Sequence, residues 1–206
     1  MTSTAWLPIF RAIAADIRAA IAPLAGTAQG REVVGRGAGG DRTVYLDQLA
    51  EQIALRHLEE AYRSGFRFHL ISEELGERDF GGPDLVLLDP VDGSVNAKQG
   101  LPYYAVVLAG AAGDRIKDVR LGYVENLVTG DEFYAIAGEG AFRNRERLQP
   151  VPPDFDGTTF PVVQLDAPGG VDPRERALPI IAKAERVRQL GSAPPTPAAG
   201  RARPSR

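Results

Sequence analysis

The sequence predicts an α+β fold in which helices are layered on a sheet. Two observations carry this. Apolar residues recur at helical spacing twice up to Arg63, and from Phe68 to Ala137 they fall into short strand-like runs separated by turns. With 206 residues, the chain is long enough for one domain with a sizeable core, or for one domain and part of a second.

Trp6, Ile9, Ile13, Ile17, Ile21 and Leu24 lie three or four residues apart and predict an amphipathic helix, with Pro8 in its first turn and Gly26 near its end. Gly30 to Gly40 is glycine-rich and reads as loop or turn. A second helix is expected over Asp47 to Arg63, with Leu49, Ile53, Leu58 and Tyr62 on one face. Phe68–Ile71 is a short apolar strand. Leu85–Leu88 is a continuous apolar run, as in a strand buried on both faces. Tyr104–Ala109, Val119–Val124 and Glu132–Ala137 are further strands, the last two joined by a turn at Thr129–Asp131. Beyond Pro150 prolines and glycines break the pattern, leaving one strand expected over Phe160–Leu165 and a short element around Val187 and Leu190. Residues 194–206 hold four prolines and three arginines but no Ile, Leu, Val or Phe, which predicts a disordered tail.

Bulk composition narrows the function classes. Hydrophobic residues make up 44% and charged residues 25%, as in ordinary globular domains. The formal net charge of -3 provides no basic field for nucleic acid or a membrane surface. No apolar run reaches membrane-spanning length, and the N-terminus lacks the pattern of a signal peptide. Cysteine is absent, so disulfides and thiolate metal sites are excluded, which fits the cytoplasm.

The chemistry-bearing residues cluster between Ser72 and Asn96. Glu73 and Glu74 follow one apolar strand, and Asp89 and Asp92 follow another in Asp89-Pro-Val-Asp-Gly-Ser94. An acid at the end of a buried strand is costly unless its charge is neutralised there. Carboxylates three residues apart in a turn shaped by proline and glycine can converge, and an all-oxygen ligand set suits Mg²⁺. Taken alone, Asp89 and Asp92 read first as ordinary turn residues, since Asp-Pro and Asp-Gly pairs are frequent in turns.

Asp89-Pro-Val-Asp-Gly-Ser-Val-Asn96 resembles the signature of the inositol monophosphatase family, and the likeness runs on through Gly100-Leu-Pro-Tyr-Tyr104. Thr43-Val-Tyr-Leu-Asp47, Glu73-Glu74, Gly138-Glu-Gly-Ala-Phe-Arg-Asn144 and Arg188-Gln-Leu-Gly-Ser-Ala193 resemble further elements of that family, in the same order. The spellings around Gly35–Thr43 and Thr129–Tyr134 are most similar to archaeal-type members, which hydrolyse inositol 1-phosphate and fructose 1,6-bisphosphate.

The resemblance implies a sugar-phosphatase-like layered αβαβα architecture. Residues 1–150 would form the N-terminal metal- and phosphate-binding domain and 151–193 the start of a second α/β domain. It implies that Glu73, Asp89, the carbonyl of Val91 and Asp92 hold Mg²⁺. Asp47 and Ser94 would orient the attacking water, with Glu74 helping to position a metal-bound water. Asp92, Gly93, Ser94, Gly191 and Ser192 would meet a phosphate-ester substrate, and relatives are commonly homodimers. Structural readings stand beside these: Asp47 as a helix N-terminal acid, Ser94 as an N-cap, Glu74 as a solvated surface acid.

The likeness stops after Ala193. The family's later W-D element, which completes the second metal site, has no counterpart, since the single tryptophan is Trp6. The switch to an Ala/Pro/Arg/Gly tail reads as a change of frame in a GC-rich gene. A largely missing C-terminal domain and impaired hydrolysis follow as expectations. Three other readings remain: a non-catalytic remnant or metal-binding module, a 3′(2′),5′-bisphosphate nucleotidase, and a dinucleotide site at Gly35–Gly40. The last lacks the strand and helix that such a glycine pattern needs. His57 and His69 read as structural, and Arg143, Arg145 and Arg147 as a solvated face.

Overall fold

The computed structural model describes residues 3–37, 42–150, 160–165, 171–192 and 202–204. Helix α1 spans Ser3–Ile21. Its apolar stripe packs inward as expected: Phe10, Ile13, Ile17 and Ile21 are fully buried. Each such side chain contributes roughly 1.5–3 kcal/mol. Because α1 begins at Ser3, Pro8 lies past the first turn rather than in it; it faces solvent, where water can take up the carbonyl it leaves unpaired. Trp6 closes the stripe, edge-on to Phe66 and Phe68 with ring centroids 5.0 Å away in each case.

The glycine-rich stretch is not all loop. Strand β1 (Val33–Arg36) pairs antiparallel with β2 (Arg42–Val44) as a two-stranded hairpin. Backbone pairing with Thr43 and Val44 there outweighs the low strand propensity of glycine. Helix α2 (Tyr45–Arg63) follows directly. Its core face is Leu46, Ala50, Ile53, Ala54, Leu58 and Ala61, so Tyr62 lies off it and is 41% exposed, resting against Phe80 and Arg67.

The main sheet has nine strands: β3 (His69–Ser72), β4 (Gly76–Asp79), β5 (Leu85–Asp92), β6 (Ala105–Ala111), β7 (Val119–Asn126), β8 (Glu132–Ile136), β9 (Gly140–Arg143), β10 (Glu146–Pro150) and β13 (Ala202–Pro204). Their order is β13-β10-β9-β8-β7-β6-β5-β3-β4, and every neighbouring pair is antiparallel except β3 with β5. Within the expected disordered tail, Ala202–Pro204 thus pairs with β10, since edge pairing uses backbone groups and needs no apolar side chain. The rest of that tail lies outside the described residues. Six-residue helix α3 (Ser94–Gln99) follows β5. A separate parallel pair, β11 (Val163–Gln164) with β12 (Val187–Arg188), flanks helix α4 (Val171–Ile181).

Helices α1 and α2 cover one face of the sheet, with Val86, Leu88, Val106, Leu108, Leu121 and Tyr123 in the core between them. The expectation that Leu85–Leu88 is buried on both faces is corrected: Leu87 points away from the helices and is 36% exposed. From the middle of α1, Arg11 donates from Nε and Nη2 to the two carboxylate oxygens of Glu132, both at 2.8 Å. Asn144 closes the β9–β10 turn by accepting from the Glu132 N–H at 2.9 Å and donating to Asp131 at 2.8 Å. The histidines are structural as expected, His57 against Asp16 at 2.8 Å and His69 against Glu77 at 3.2 Å.

A candidate active site at the ends of two parallel strands

The one parallel pair in the main sheet creates the site. The register of β3 on β5 runs from His69 opposite Leu85 to Ser72 opposite Leu88. The next residues along are therefore Glu73, just past the end of β3, and Asp89, where the pairing of β5 with β3 stops, and the Glu73 N–H donates to the Leu88 carbonyl at 3.2 Å. Open sheets collect ligands at such strand ends. Past Asp89 the pairing of β5 with β6 slips, bending the chain through Pro90 and Val91 to Asp92. Gly93 then takes φ 82°, a left-handed conformation that favours glycine, and Ser94 opens α3.

These residues line one cavity of about 120 Å³. Glu73 and Glu74 enter from the end of β3, Asp89 to Asp92 from β5, Gly93 and Ser94 from the start of α3, and Asp47 from the first turn of α2. The structure thus brings together all the expected metal and catalytic positions.

The structural alternatives divide. Asp47 does lie in the first turn of α2, as a helix N-terminal acid would, but it is buried, at 3% exposed; its Oδ2 lies 3.6 Å from Lys98 Nζ and its Oδ1 has no hydrogen-bond partner. Burial raises its pKa, Lys98 opposes this, and the charge of Glu74 adds to it. Ser94 is not an N-cap: Gly93 holds that place and there is no side-chain cap bond. Glu74 is half-buried and accepts from Thr43 Oγ1 at 2.7 Å, while a Cβ on Gly37 would come within 2.8 Å of its carboxylate. The glycine-rich hairpin therefore lies directly over this acid.

Asp89 carries the strongest electrostatic strain in the cavity. Burial, then the charges of Glu73 and Asp92, push its carboxyl up to about 8, with a hydrogen bond to Glu73 adding to the rise and the Val91 N–H, 3.1 Å from Oδ1, opposing it. Among the described residues no three His, Cys, Asp or Glu side chains are closed into a ready ligand set. The acids converge by pairs, Asp89 with Glu73 and Asp89 with Asp92. In kind they fit a hard divalent cation: oxygen donors only, in excess of positive charge, in a cavity of suitable size.

Gly191 and Ser192 reach the same turn from the distant segment. Ser192, 1% exposed, donates from Oγ to Asp92 Oδ2, and a Cβ on Gly93 would lie 2.7 Å from Ser192 Cβ.

Three participants escaped the sequence reading. Glu51 lies one helical turn beyond Asp47 on α2, 6% exposed, and accepts from Ser72 Oγ at 2.8 Å. The four-residue spacing from Asp47 was the available signal. Lys98 brings positive charge to Asp47 from the last turn of α3, and Asn96 bonds the segment of Gly191. No local pattern marks Lys98, whereas Asn96 closes the Asp89–Asn96 signature, which gave it no role of its own.

The sheet, its single parallel pair and the acidic cavity at their ends define a layered α+β protein with an oxygen-rich site. The model of the inositol monophosphatase family matches residues 7–194, and the chain belongs to that family. It is 41% identical over 146 residues to a fructose-1,6-bisphosphatase/inositol-1-monophosphatase of Archaeoglobus fulgidus, covering 69% of this chain and 54% of that protein. It is 36% identical over 145 residues to a bifunctional NADP phosphatase/NAD kinase of Methanococcus maripaludis, covering 63% of this chain and 25% of that protein. The solved structure of the MJ0109 gene product, an inositol monophosphatase–fructose 1,6-bisphosphatase, superposes with a TM-score of 0.74 at 28% identity over 91% of this chain and 68% of that one. The chain spans about half the length of the curated fructose-1,6-bisphosphatase/inositol-1-monophosphatase relatives it matches first. No helix among the described residues is long and apolar enough to cross a membrane.

Proposed function

We propose that this chain carries the catalytic half-site of a Mg²⁺-dependent phosphomonoesterase acting on a sugar or inositol phosphate. The observation that carries the reading is the parallel register that sets Glu73 beside Asp89, with Asp92, Asp47 and Ser94 around the same cavity. Glu73, Asp89, the Val91 carbonyl and Asp92 would hold Mg²⁺, which when bound neutralises their charge and polarises the phosphoryl oxygens. Asp47 and Ser94, both lining the cavity, orient the attacking water, Asp47 as acceptor for its proton. Glu74, fixed by Thr43, accepts a hydrogen bond from a second water. The backbone N–H groups of Gly93 and Ser94 meet the phosphate oxygens, and attack in line with the leaving alkoxide needs no covalent intermediate.

The names of the relatives set the substrate panel: inositol 1-phosphate and fructose 1,6-bisphosphate first. A dinucleotide bearing a 2′-phosphate stands as the second reading, supported by the likeness to the NADP phosphatase/NAD kinase. Phosphate release from the panel is measured with and without Mg²⁺, alongside Asp89→Asn. Mg²⁺-dependent release that Asp89→Asn abolishes is the expected result. Mg²⁺ binding with no release from any ester reassigns the chain as a metal-binding module, and absence of both overturns the reading.

A further inference from the structure

The turn from Asp92 to Asn96 holds a distant part of the chain as well as lining the cavity. Asn96 is 6% exposed and its Nδ2 donates to two carbonyls, Tyr103 at 2.7 Å and Leu190 at 2.6 Å. Ser192 donates to the carboxylate of Asp92, and Gln164 Nε2 donates to the Ser192 carbonyl at 3.4 Å. Two glycines make the approach possible. A Cβ on Gly93 would also come within 3.1 Å of the Gly191 carbonyl, and a Cβ on Gly191, at φ 72°, within 3.0 Å of Asn96 Oδ1. Both backbones must be bare for the two segments to meet.

We propose that Asn96 is a latch that docks segment 188–192 onto the Asp92–Asn96 turn, and that Ser192 is a positioning residue that fixes the rotation of the Asp92 carboxylate. Ser192 therefore acts on Asp92 rather than on substrate. A carboxylate at the end of a bent strand can turn about its last bond; a buried hydroxyl on Oδ2 selects one orientation, as partners behind metal ligands do. The glycine and asparagine of the signature turn then serve to assemble the site from two separate stretches of chain. The positioning role rests on the proposed cation site; the latch does not.

The test uses the 206-residue chain. Arg188 is exposed and sits on a two-residue strand, so trypsin cleavage after it reports release of the segment. Asn96→Ala and Asn96→Asp both remove the amide donor and are expected to speed that cleavage about tenfold, the scale of losing one or two net hydrogen bonds. Hydrogen exchange in β5, β6 and β7 should stay as in the wild type. Wild-type cleavage rates in Asn96→Asp overturn the latch. If neither Asn96 variant folds, Gly191→Ala carries the same test, with the same two outcomes. For the second half, Mg²⁺ binding by calorimetry should weaken about tenfold in Ser192→Ala. Ser192→Cys should be intermediate, because a thiol is a weak donor. Unchanged affinity in Ser192→Ala overturns the positioning role. If the wild type binds no Mg²⁺, that role falls together with the proposed function, while the protease result still decides the latch.

Discussion

Glu51 shows what a carboxyl costs when it is buried behind a site rather than within it. Its Oε2 accepts from Ser72, its Oε1 meets no donor, and burial pushes its pKa up to about 7, with the charges of Glu74 and Glu73 adding to the rise. The folded state therefore binds this proton more tightly than the unfolded chain, where the value is near 4.5. That stabilisation is fully present below pH 4.5 and is lost as pH rises through about 7. Glu51→Gln stays neutral and can still accept from Ser72. It should be more stable than wild type by roughly 2–3 kcal/mol at pH 8 and by less than about 1 kcal/mol at pH 5. Urea denaturation of both proteins in EDTA at the two pH values measures this; equal stabilities at pH 8 would show that Glu51 titrates normally. The other acids were legible in the sequence because their spacing in the motif reflects a local turn. Glu51 was marked only by its four-residue spacing from Asp47 and Lys98 by nothing local, since what defines each is a contact across elements, with Ser72 and with Asp47.

At the scale of elements, periodicity succeeded where one residue type filled one face and slipped where small residues shared it. The isoleucines of α1 left a single register possible. In α2 the true face is half alanine, so the larger Leu49 and Tyr62 drew the expected stripe sideways. In β1, glycines concealed a strand whose pairing is decided by β2. Strand β4 passed unnoticed because its burial is slight and its residues are polar. The corrected face of α2 has a measurable consequence. Leu58, fully buried, should cost about 2–5 kcal/mol when cut to alanine. Tyr62 lies off the core face, its ring tilted against Phe80 and under Arg67, and should cost under about 1.5 kcal/mol. Equilibrium urea unfolding of the two variants compares them; a larger loss for Tyr62→Ala would restore the stripe read from the sequence.

For the whole molecule, the second face of the sheet is the open question of its chemistry. The pairing registers lay Ile71, Leu87, Ala109, Gly122, Ala135 and Ala141 in one row across six strands, and Val107, Val124 and Phe133 in the row toward the cavity. Among them Leu87, Ala135 and Ala141 are exposed; charged residues stand only at the ends of the rows, Glu77 on β4 beside Ile71, Asp89 beside Val107 and Arg143 beside Phe133. Layered folds bury both faces of such a sheet, whereas here α1 and α2 cover only one. An apolar face of this kind binds hydrophobic dyes and drives association. The chain should enhance the fluorescence of an anilinonaphthalene sulfonate probe at neutral pH and sediment with a concentration-dependent mass. Leu87→Lys, which places a long cation in the middle of the row at an already exposed position, should reduce both signals while leaving the far-ultraviolet spectrum unchanged. A wild type that stays monomeric at high concentration and leaves the probe dark would show that this face is not open to solvent.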